Sequence, residues 1–422
     1  MILHSLIATA FLSLPTAGTE ASAPPTAEPL SPNQYMEYSD PKNWLVEMTA
    51  RVFPDGRLPG HHKFPGWTYS DFALILPYTQ STSTSWMTQT NEETVVAGLL
   101  INGIVANTED IPTRTVPGTA ATYASLELDA PVTFISAVGY IQSRITCVET
   151  EFNEKAAWDV PWPTGATPLA AWLAPDPTYD VITPGQPDHV QLLVDKWTDG
   201  NDPKQIPPVQ LAKYLTANVL EHTRTTGSNT QSPLGGSGYR VPTTNSDQQD
   251  VPRSAIIVIN SRGGFNVQNA SETARTKKGS EHDLANLLTA VFRRAGLPAR
   301  TVIGVDNDER GDDLIKSWVE FAIFPADMKR PLWIPVDVWE LEDDGRSTRN
   351  WKQPWKHFGT SDLLREVPPI AYYFHPPANY RSYHLPGLFG IRSDTELPDF
   401  GTQSIHFEVN GAPNRGGQQR RP

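Results

Sequence analysis

The stretch "KKGSEHDLANLLTAVFRRAGLPAR", residues 277–300, decides the fold. Ser280 followed by Asp283 is typical of a capping box, which marks the first turn of a helix. The apolar residues that follow recur at helical spacing and form one continuous face: Leu284, Leu287, Leu288, Val291, Phe292 and Ala295. Gly296 ends this pattern and Pro298 prevents its continuation. The stretch therefore predicts a helix that is buried in the core of its domain.

The segments around this helix complete an α+β pattern. Downstream, strands are predicted at "ARTVIGV" (299–305), "KSWVEFAIF" (316–324) and "LWIPVDVWE" (332–340). Upstream, helical spacing appears at 187–200, 207–224 and 269–279. Short β-type runs between residues 66 and 165 are typical of a sandwich-like domain. The predicted fold class is α+β, with a buried helix packed on an antiparallel sheet and a β-rich domain before it.

Changes in composition divide the chain into five parts. Residues 1–23 contain "LIATAFLSL" and then "ASA", which is typical of a signal peptide and its cleavage site, so export to a periplasmic or extracellular location is predicted. The other parts are predicted as a linker with an irregular lead-in (24–65), the β-rich domain (66–165), the helix-and-sheet domain (166–375) and a C-terminal extension with a disordered tail (376–422).

Composition excludes several classes of function. Asp and Glu number 47 against 34 Lys and Arg, and the resulting net charge of -13 argues against a nucleic-acid partner. Beyond residue 23, no run reaches the roughly 18 apolar residues of a membrane span. The single cysteine, Cys147, lies in an alternating pattern that predicts a buried strand position. The histidines lack metal-ligand spacing, so no metal and no cofactor are expected.

The motifs in combination resemble the transglutaminase-like superfamily, relatives of the papain-like cysteine peptidases. That family has a Cys that opens a helix, then "DxAxL" and a run like "RAxGIPAR", then "HAWVE" on a strand and an Asp on the next strand. Here Asp283, Ala285 and Leu287 match the helix, and "RRAGLPAR" follows it. "KSWVEF" stands at the histidine strand and "WIPVD" at the aspartate strand. The resemblance spans residues 180–345.

The resemblance assigns the catalytic positions residue by residue. The nucleophile position falls on Glu281, the general-base position falls on Lys316, and the third member is retained as Asp337. The two positions that perform amide hydrolysis and acyl transfer in the family are therefore replaced. The resemblance thus implies a pseudoenzyme, a secreted binding or structural module for a peptide, a protein or a cell-surface polymer. The sequence does not indicate an oligomeric state.

The two replacements complement each other in charge. Glu281 would be a permanent anion at a helix N-terminus and Lys316 a permanent cation facing it, a copy of the thiolate–imidazolium pair. One interpretation is an ion pair that closes a disused cleft. The alternative is an enzyme with remodelled chemistry, in which Glu281 acts as nucleophile or acid, Lys316 as base, and Asp337 or Asp283 as a second carboxylate. A Glu–Lys amide and a thiol enzyme that brings Cys147 into the site are further alternatives.

Three side chains near the triad positions are candidates for ligand binding: His282, Trp318 and Trp333. Ser280, His282 and Asp283 suggest a serine triad, but consecutive positions on a helix point about 100° apart and cannot converge. His282 is therefore interpreted as a residue of the helix surface or one that supports the site. Trp318 and Trp333 lie on the strands that flank the cleft. They are interpreted as core or cleft wall, with sugar or peptide stacking as the functional alternative.

Overall fold

The computed structural model describes residues 29–54, 67–69, 72–78, 81–88, 95–102, 104–106, 113–115, 121–128, 132–134, 136–164, 169–182, 184–226, 257–260, 267–305, 315–343, 353–374, 380–381, 388–393 and 401–411. The helices within these ranges are α1 (Glu154–Ala157), α2 (His189–Trp197), α3 (Pro208–His222), α4 (Ala270–Thr276), α5 (Glu281–Arg294) and α6 (Val338–Asp343). Short 3-10 helices lie at Ala170–Trp172, Pro203–Gln205 and Leu364–Glu366.

The strands fall into two groups along the chain. The first group is β1 (Met36–Pro54), β2 (Trp67–Tyr69), β3 (Phe72–Pro77), β4 (Ser85–Met87), β5 (Val95–Ile101), β6 (Ile104–Ala106), β7 (Thr113–Thr115), β8 (Thr122–Glu127), β9 (Val132–Phe134) and β10 (Ala137–Phe152). The second group is β11 (Arg224–Thr225), β12 (Ile257–Asn260), β13 (Lys278–Gly279), β14 (Ala299–Val305), β15 (Ile315–Ile323), β16 (Leu332–Val336), β17 (Pro369–Ala371), β18 (Tyr380–Arg381), β19 (Gly390–Ser393) and β20 (Gly401–Gly411).

Two antiparallel sheets form a β-sandwich. The larger sheet has the order β12-β20-β1-β10-β5-β6, with β4 also paired to β10. The smaller sheet has the order β18-β19-β3-β8-β7. Alternate residues of the two sheets meet in one hydrophobic core, which includes Trp44, Val46, Leu74, Leu126 and Ile141. The structure thus contains a sandwich-like unit, but its sheets also include β1, β12, β18, β19 and β20, which lie outside the predicted range 66–165.

The second unit packs helices on a four-stranded antiparallel sheet of order β16-β15-β14-β17. Helix α5 lies across this sheet, and its apolar face meets Val319 and Phe321 of β15 in a core that also holds residues of α2 and α3. Phe292 and Phe321 contact each other edge to face, with their ring centroids 5.4 Å apart. The α+β fold class, with a buried helix on an antiparallel sheet, is confirmed.

The structure corrects two predictions for the flanking segments. Residues 24–65 do not serve only as an irregular lead-in, because Met36–Pro54 is a 19-residue strand in the centre of the larger sheet. A bulge between Ser39 and Lys42, with Asp40 at φ 48°, interrupts the alternation of apolar and polar residues from which this strand could have been predicted. The C-terminal extension contributes β20, which pairs with β1 along its length.

The remaining boundaries stay predictions. The signal peptide at 1–23 and the tail beyond residue 411 lie outside the described residues. In the part of the chain that the structure describes, no helix is long and apolar enough to cross a membrane.

Candidate functional site

Helix α5 begins with a complete capping box. The Ser280 hydroxyl accepts a hydrogen bond from Asp283 N, and the Asp283 carboxylate accepts one from Ser280 N at 2.8 Å. Asp283 Oδ1 also accepts a hydrogen bond from Gln268 N at 2.6 Å, which fixes the preceding segment to the helix. Glu281 follows the cap as the first residue of α5 and is buried. The fold therefore places a carboxylate at a helix N-terminus, where the peptide dipoles stabilise negative charge.

Lys316 lies on β15, opposite Gly304 of β14, and its side chain is buried. Its Nζ lies 2.9 Å from Asp337 Oδ2 and donates a hydrogen bond to Glu340 Oε1 at 2.8 Å. Burial alone would lower the pKa of Lys316, but the charges of Asp337 and Glu340 outweigh it and raise the pKa above its ordinary value of 10.5. Lys316 is therefore a fixed cation at neutral pH.

Hydrogen bonds of both its backbone and its side chain fix the position of Asp337. It follows β16, its N–H donates to His357 O at 3.0 Å, and its Oδ1 accepts a hydrogen bond from Glu340 N at 3.3 Å. The structure thus brings Lys316 and Asp337 together.

Sequence reasoning missed Glu340 as a partner of Lys316. The stretch "LWIPVDVWE" was predicted as a strand to residue 340, but β16 ends at Val336 and α6 begins at Val338. Asp337 precedes this helix and accepts a hydrogen bond from the backbone three residues later. The Asp-x-x-Glu spacing was a signal for a helix start that could have revealed the change of direction.

His282 is buried, so it is not a residue of the exposed helix surface. Its Nδ1 lies 2.8 Å from Ser317 Oγ, and its ring meets Phe374 edge to face at 5.7 Å. Burial lowers the pKa of His282 from 6.5 to about 4, so the imidazole is neutral at neutral pH. Ser280 and Asp283 form the cap instead, and the three side chains diverge as the helix geometry predicted.

The two tryptophans have different surroundings. Trp318 is fully buried in a small cluster with Val302, Leu364 and Val367, which agrees with its interpretation as core and excludes the alternative of a stacking surface for a ligand. Trp333 is half-buried, and the Arg300 guanidinium lies 4.0 Å from its ring centroid. Tyr372 and Trp172 also face this guanidinium, with ring centroids at 4.6 Å and 5.5 Å. The described face of Trp333 thus already binds a cation of the chain itself.

Cys147 lies on β10 in the sandwich core and is fully buried. Burial raises the pKa of its thiol well above the usual range. The hypothesis that Cys147 enters the site as a nucleophile is therefore contradicted, since its side chain belongs to the core of the sandwich and Glu281 opens a helix in the other unit. Among the described residues, no group of three or more His, Cys, Asp or Glu side chains is placed to hold a metal ion.

Residues 254–338 match the sequence model of the transglutaminase-like superfamily. This segment, 85 of the 422 residues, is similar to that superfamily. The match includes Glu281, Lys316 and Asp337, and it is narrower than the resemblance over 180–345. The assignment of Glu281 and Lys316 to the family's cysteine and histidine positions stays a prediction.

Comparison with known proteins adds three structural likenesses. The chain is similar to a candidate cysteine protease from Cytophaga hutchinsonii, with 12% identity, 89% of this chain and 92% of that chain covered, and a TM-score of 0.46. It is similar to the periplasmic domain of TgpA from Pseudomonas aeruginosa bound to ethylmercury, with 14% identity, coverage of 71% and 92%, and a TM-score of 0.25. It is also similar to a candidate protease from Parabacteroides distasonis, with 13% identity, coverage of 65% and 47%, and a TM-score of 0.21. No curated protein matches the sequence.

Proposed function

We propose that the protein is an exported binding or structural module whose transglutaminase-like domain no longer performs thiol catalysis. The observation that carries this proposal is the position of Lys316 between the carboxylates of Asp337 and Glu340. A general base must release its proton near the working pH. Lys316 keeps its proton instead, because both neighbouring charges stabilise the ammonium form.

The lack of a reactive thiol at position 281 supports the same proposal. The sequence holds one cysteine, and its thiol lies in the sandwich core. Glu281 places a carboxyl group at the helix N-terminus, which lacks the reactivity of a thiolate. The module would bind a peptide, a protein or a cell-surface polymer, and its export rests on residues 1–23. The alternative with remodelled chemistry would need Lys316 to exchange a proton, which its two carboxylate partners oppose.

The proposal is tested by assaying the purified protein for casein hydrolysis and for transfer of dansylcadaverine to glutamine side chains. We expect the wild type and Glu281→Gln to show only the background rate. Catalysis by the wild type that disappears in Glu281→Gln would contradict the proposal and support the remodelled enzyme.

A double variant, Glu281→Cys with Lys316→His, tests the inherited geometry in the same assays. If the helix N-terminus still favours an anion, the new thiol should react with iodoacetamide at pH 6 faster than a free thiol does. Circular dichroism serves to confirm that the double variant is folded. A folded variant with an ordinary thiol would show that position 281 does not have the environment of the family's nucleophile.

A further inference from the structure

A large groove lies on the helical side of the unit that contains the four-stranded sheet. The C-terminal end of α2, the segment after it, one face of α3 and the end of α6 form its walls, and its volume is about 1270 Å³. We call it the α3 groove. Pockets for small molecules usually have roughly 300–1,000 Å³, so this groove is wide enough for a peptide segment.

The floor of the α3 groove is partly apolar. Ile206, Leu220 and Leu341 line it together with the rings of Trp197 and Tyr214. The Tyr214 side chain is 38% exposed although its hydroxyl donates to Trp197 O at 2.7 Å. A fixed aromatic side chain with an exposed face offers contact area at a low cost in conformational entropy.

The rim of the groove carries negative charge. Four of the lining residues are carboxylates, and none of the lining residues in the described part of the chain is Lys, Arg or His: Asp199, Asp202, Glu221 and Glu342. Lys204 is close in sequence, but its Nζ lies 5.9 Å from the ring centroid of Trp162 and its Cε lies beside Gly296. The four carboxylates do not form a metal-binding group in the described residues, which favours an extended polycation as ligand over a single ion.

A second observation concerns the wall of the groove. Trp197 is 6% exposed and its indole Nε1 is buried without a hydrogen-bond partner among the described residues. Buried donors of this kind are rare in folded proteins. Because this atom is covered, Trp197 contributes the apolar part of its ring to the wall of the groove.

We propose that the α3 groove binds a segment of another protein that is rich in lysine or arginine. The cationic groups would meet the carboxylate rim, and the aliphatic stems would cover the apolar floor. The inference deepens the proposed function by naming the partner of the binding module. The groove lies beside the candidate site, because α6 directs Glu340 to Lys316 and contributes Glu342 to the groove.

Fluorescence anisotropy with two labelled nonapeptides tests this proposal. The first peptide alternates lysine with leucine and alanine, and the second has glutamate in place of each lysine. The protein variants are Asp199→Asn with Glu221→Gln, which neutralises two groove carboxylates, and Asp195→Asn with Glu151→Gln as the matched control. The control removes the same charge at two exposed positions that do not line the groove.

We expect the lysine peptide to bind the wild type and the control with the same affinity, and the groove variant about three- to tenfold more weakly, because exposed charge pairs contribute little each. Binding should weaken as NaCl is raised from about 50 to 300 mM. Equal weakening in both variants would assign the binding to the net charge of -13 and overturn the proposal. Absence of binding by the lysine peptide, or equal binding of the glutamate peptide, would also overturn it. These outcomes do not depend on catalysis, so they are distinguishable from failure of the proposed function.

Discussion

At the scale of single residues, two buried titratable groups that are close in the fold have different charge states at neutral pH. Lys316 has carboxylate partners and stays charged, while His282 has a hydroxyl and an aromatic ring as described neighbours and is kept neutral by burial. Ser317, the residue after Lys316, contacts His282. The site therefore combines a locked charge with a neutral imidazole, and neither group titrates near pH 7.

His282 should make the protein less stable in acid. Below pH 6.5 the unfolded chain binds a proton at this residue, whereas the native state does not until about pH 4, so stability falls as pH falls between these values. The effect is on the order of 3 kcal/mol, since one pKa unit corresponds to about 1.4 kcal/mol. Urea unfolding of the wild type and His282→Gln at pH 7, 5.5 and 4.5 measures it. The free energy of unfolding of the wild type, relative to that of the variant, should decrease as the pH is lowered from 7 to 4.5. A difference that stays constant over this range would refute the prediction.

Part of this site was predicted through the family resemblance. The resemblance placed Lys316 and Asp337 at positions that are neighbours in the family, and their side chains lie 2.9 Å apart here. It could not identify Glu340, since that contact depends on the chain turning from β16 into α6. Nor could it show that Arg300 occupies the face of Trp333, because this contact joins two different strands.

At the scale of elements, α5 was the most predictable part of the molecule. Its cap, its apolar face and its glycine stop are all local, so the sequence predicts a helix starting after Ser280 and the structure has Glu281–Arg294. Strand β1 was missed because its evidence is partly non-local. It pairs with β10 and β20, which lie about 100 and 350 residues away in the chain, and a bulge breaks its alternation.

A side chain at position 279 should clash with the first turn of α5 and lower the stability of the protein. A Cβ at Gly279 would lie 2.6 Å from Asp283 Cβ, inside the capping box. Gly279→Ala should therefore destabilise the protein by about 1–3 kcal/mol, the usual effect of overpacking. Thermal and urea unfolding measure this loss, with Gly411→Ala as a control because nothing lies within 4 Å of a Cβ there. Equal stability of the two variants would show that the cap can shift without cost.

At the scale of the whole molecule, a buried ion pair within the four-stranded sheet, between Arg300 of β14 and Glu320 of β15, contacts the β-sandwich through Glu320. Arg300 donates to Glu320 Oε2 from Nε at 2.8 Å and its Nη2 lies 2.7 Å from the same oxygen. Glu320 Oε1 accepts hydrogen bonds from Ser83 N and Ser83 Oγ, at 2.9 and 2.6 Å, in the segment before β4. The Tyr372 hydroxyl donates to Ser81 O in the same segment. The β-sandwich is therefore anchored to the sheet that carries Lys316.

Arg300→Lys should weaken this junction although the charge is kept. Lysine cannot reproduce the paired N–H donors or the stacking of the guanidinium between Trp333 and Tyr372. We expect a loss of about 1–3 kcal/mol in the free energy of unfolding, and earlier exposure of Cys147 to thiol reagents in mild urea. Arg275→Lys is the control, because its pair with Glu272 is solvent-exposed and contributes little. If both substitutions have the same small effect, the junction does not hold the units together.

Strand β20 carries a consequence for the order of events during synthesis. It pairs on one side with β1 and on the other with β12, so the larger sheet cannot be completed until residues 401–411 have been made. The early strand β1 must wait, with one edge unpaired, while about 350 further residues are added. The larger sheet therefore stays incomplete for most of the time that the chain is being translated. Such a chain would remain open to translocation machinery, which threads unfolded polypeptide, and to holding chaperones that shield free strand edges.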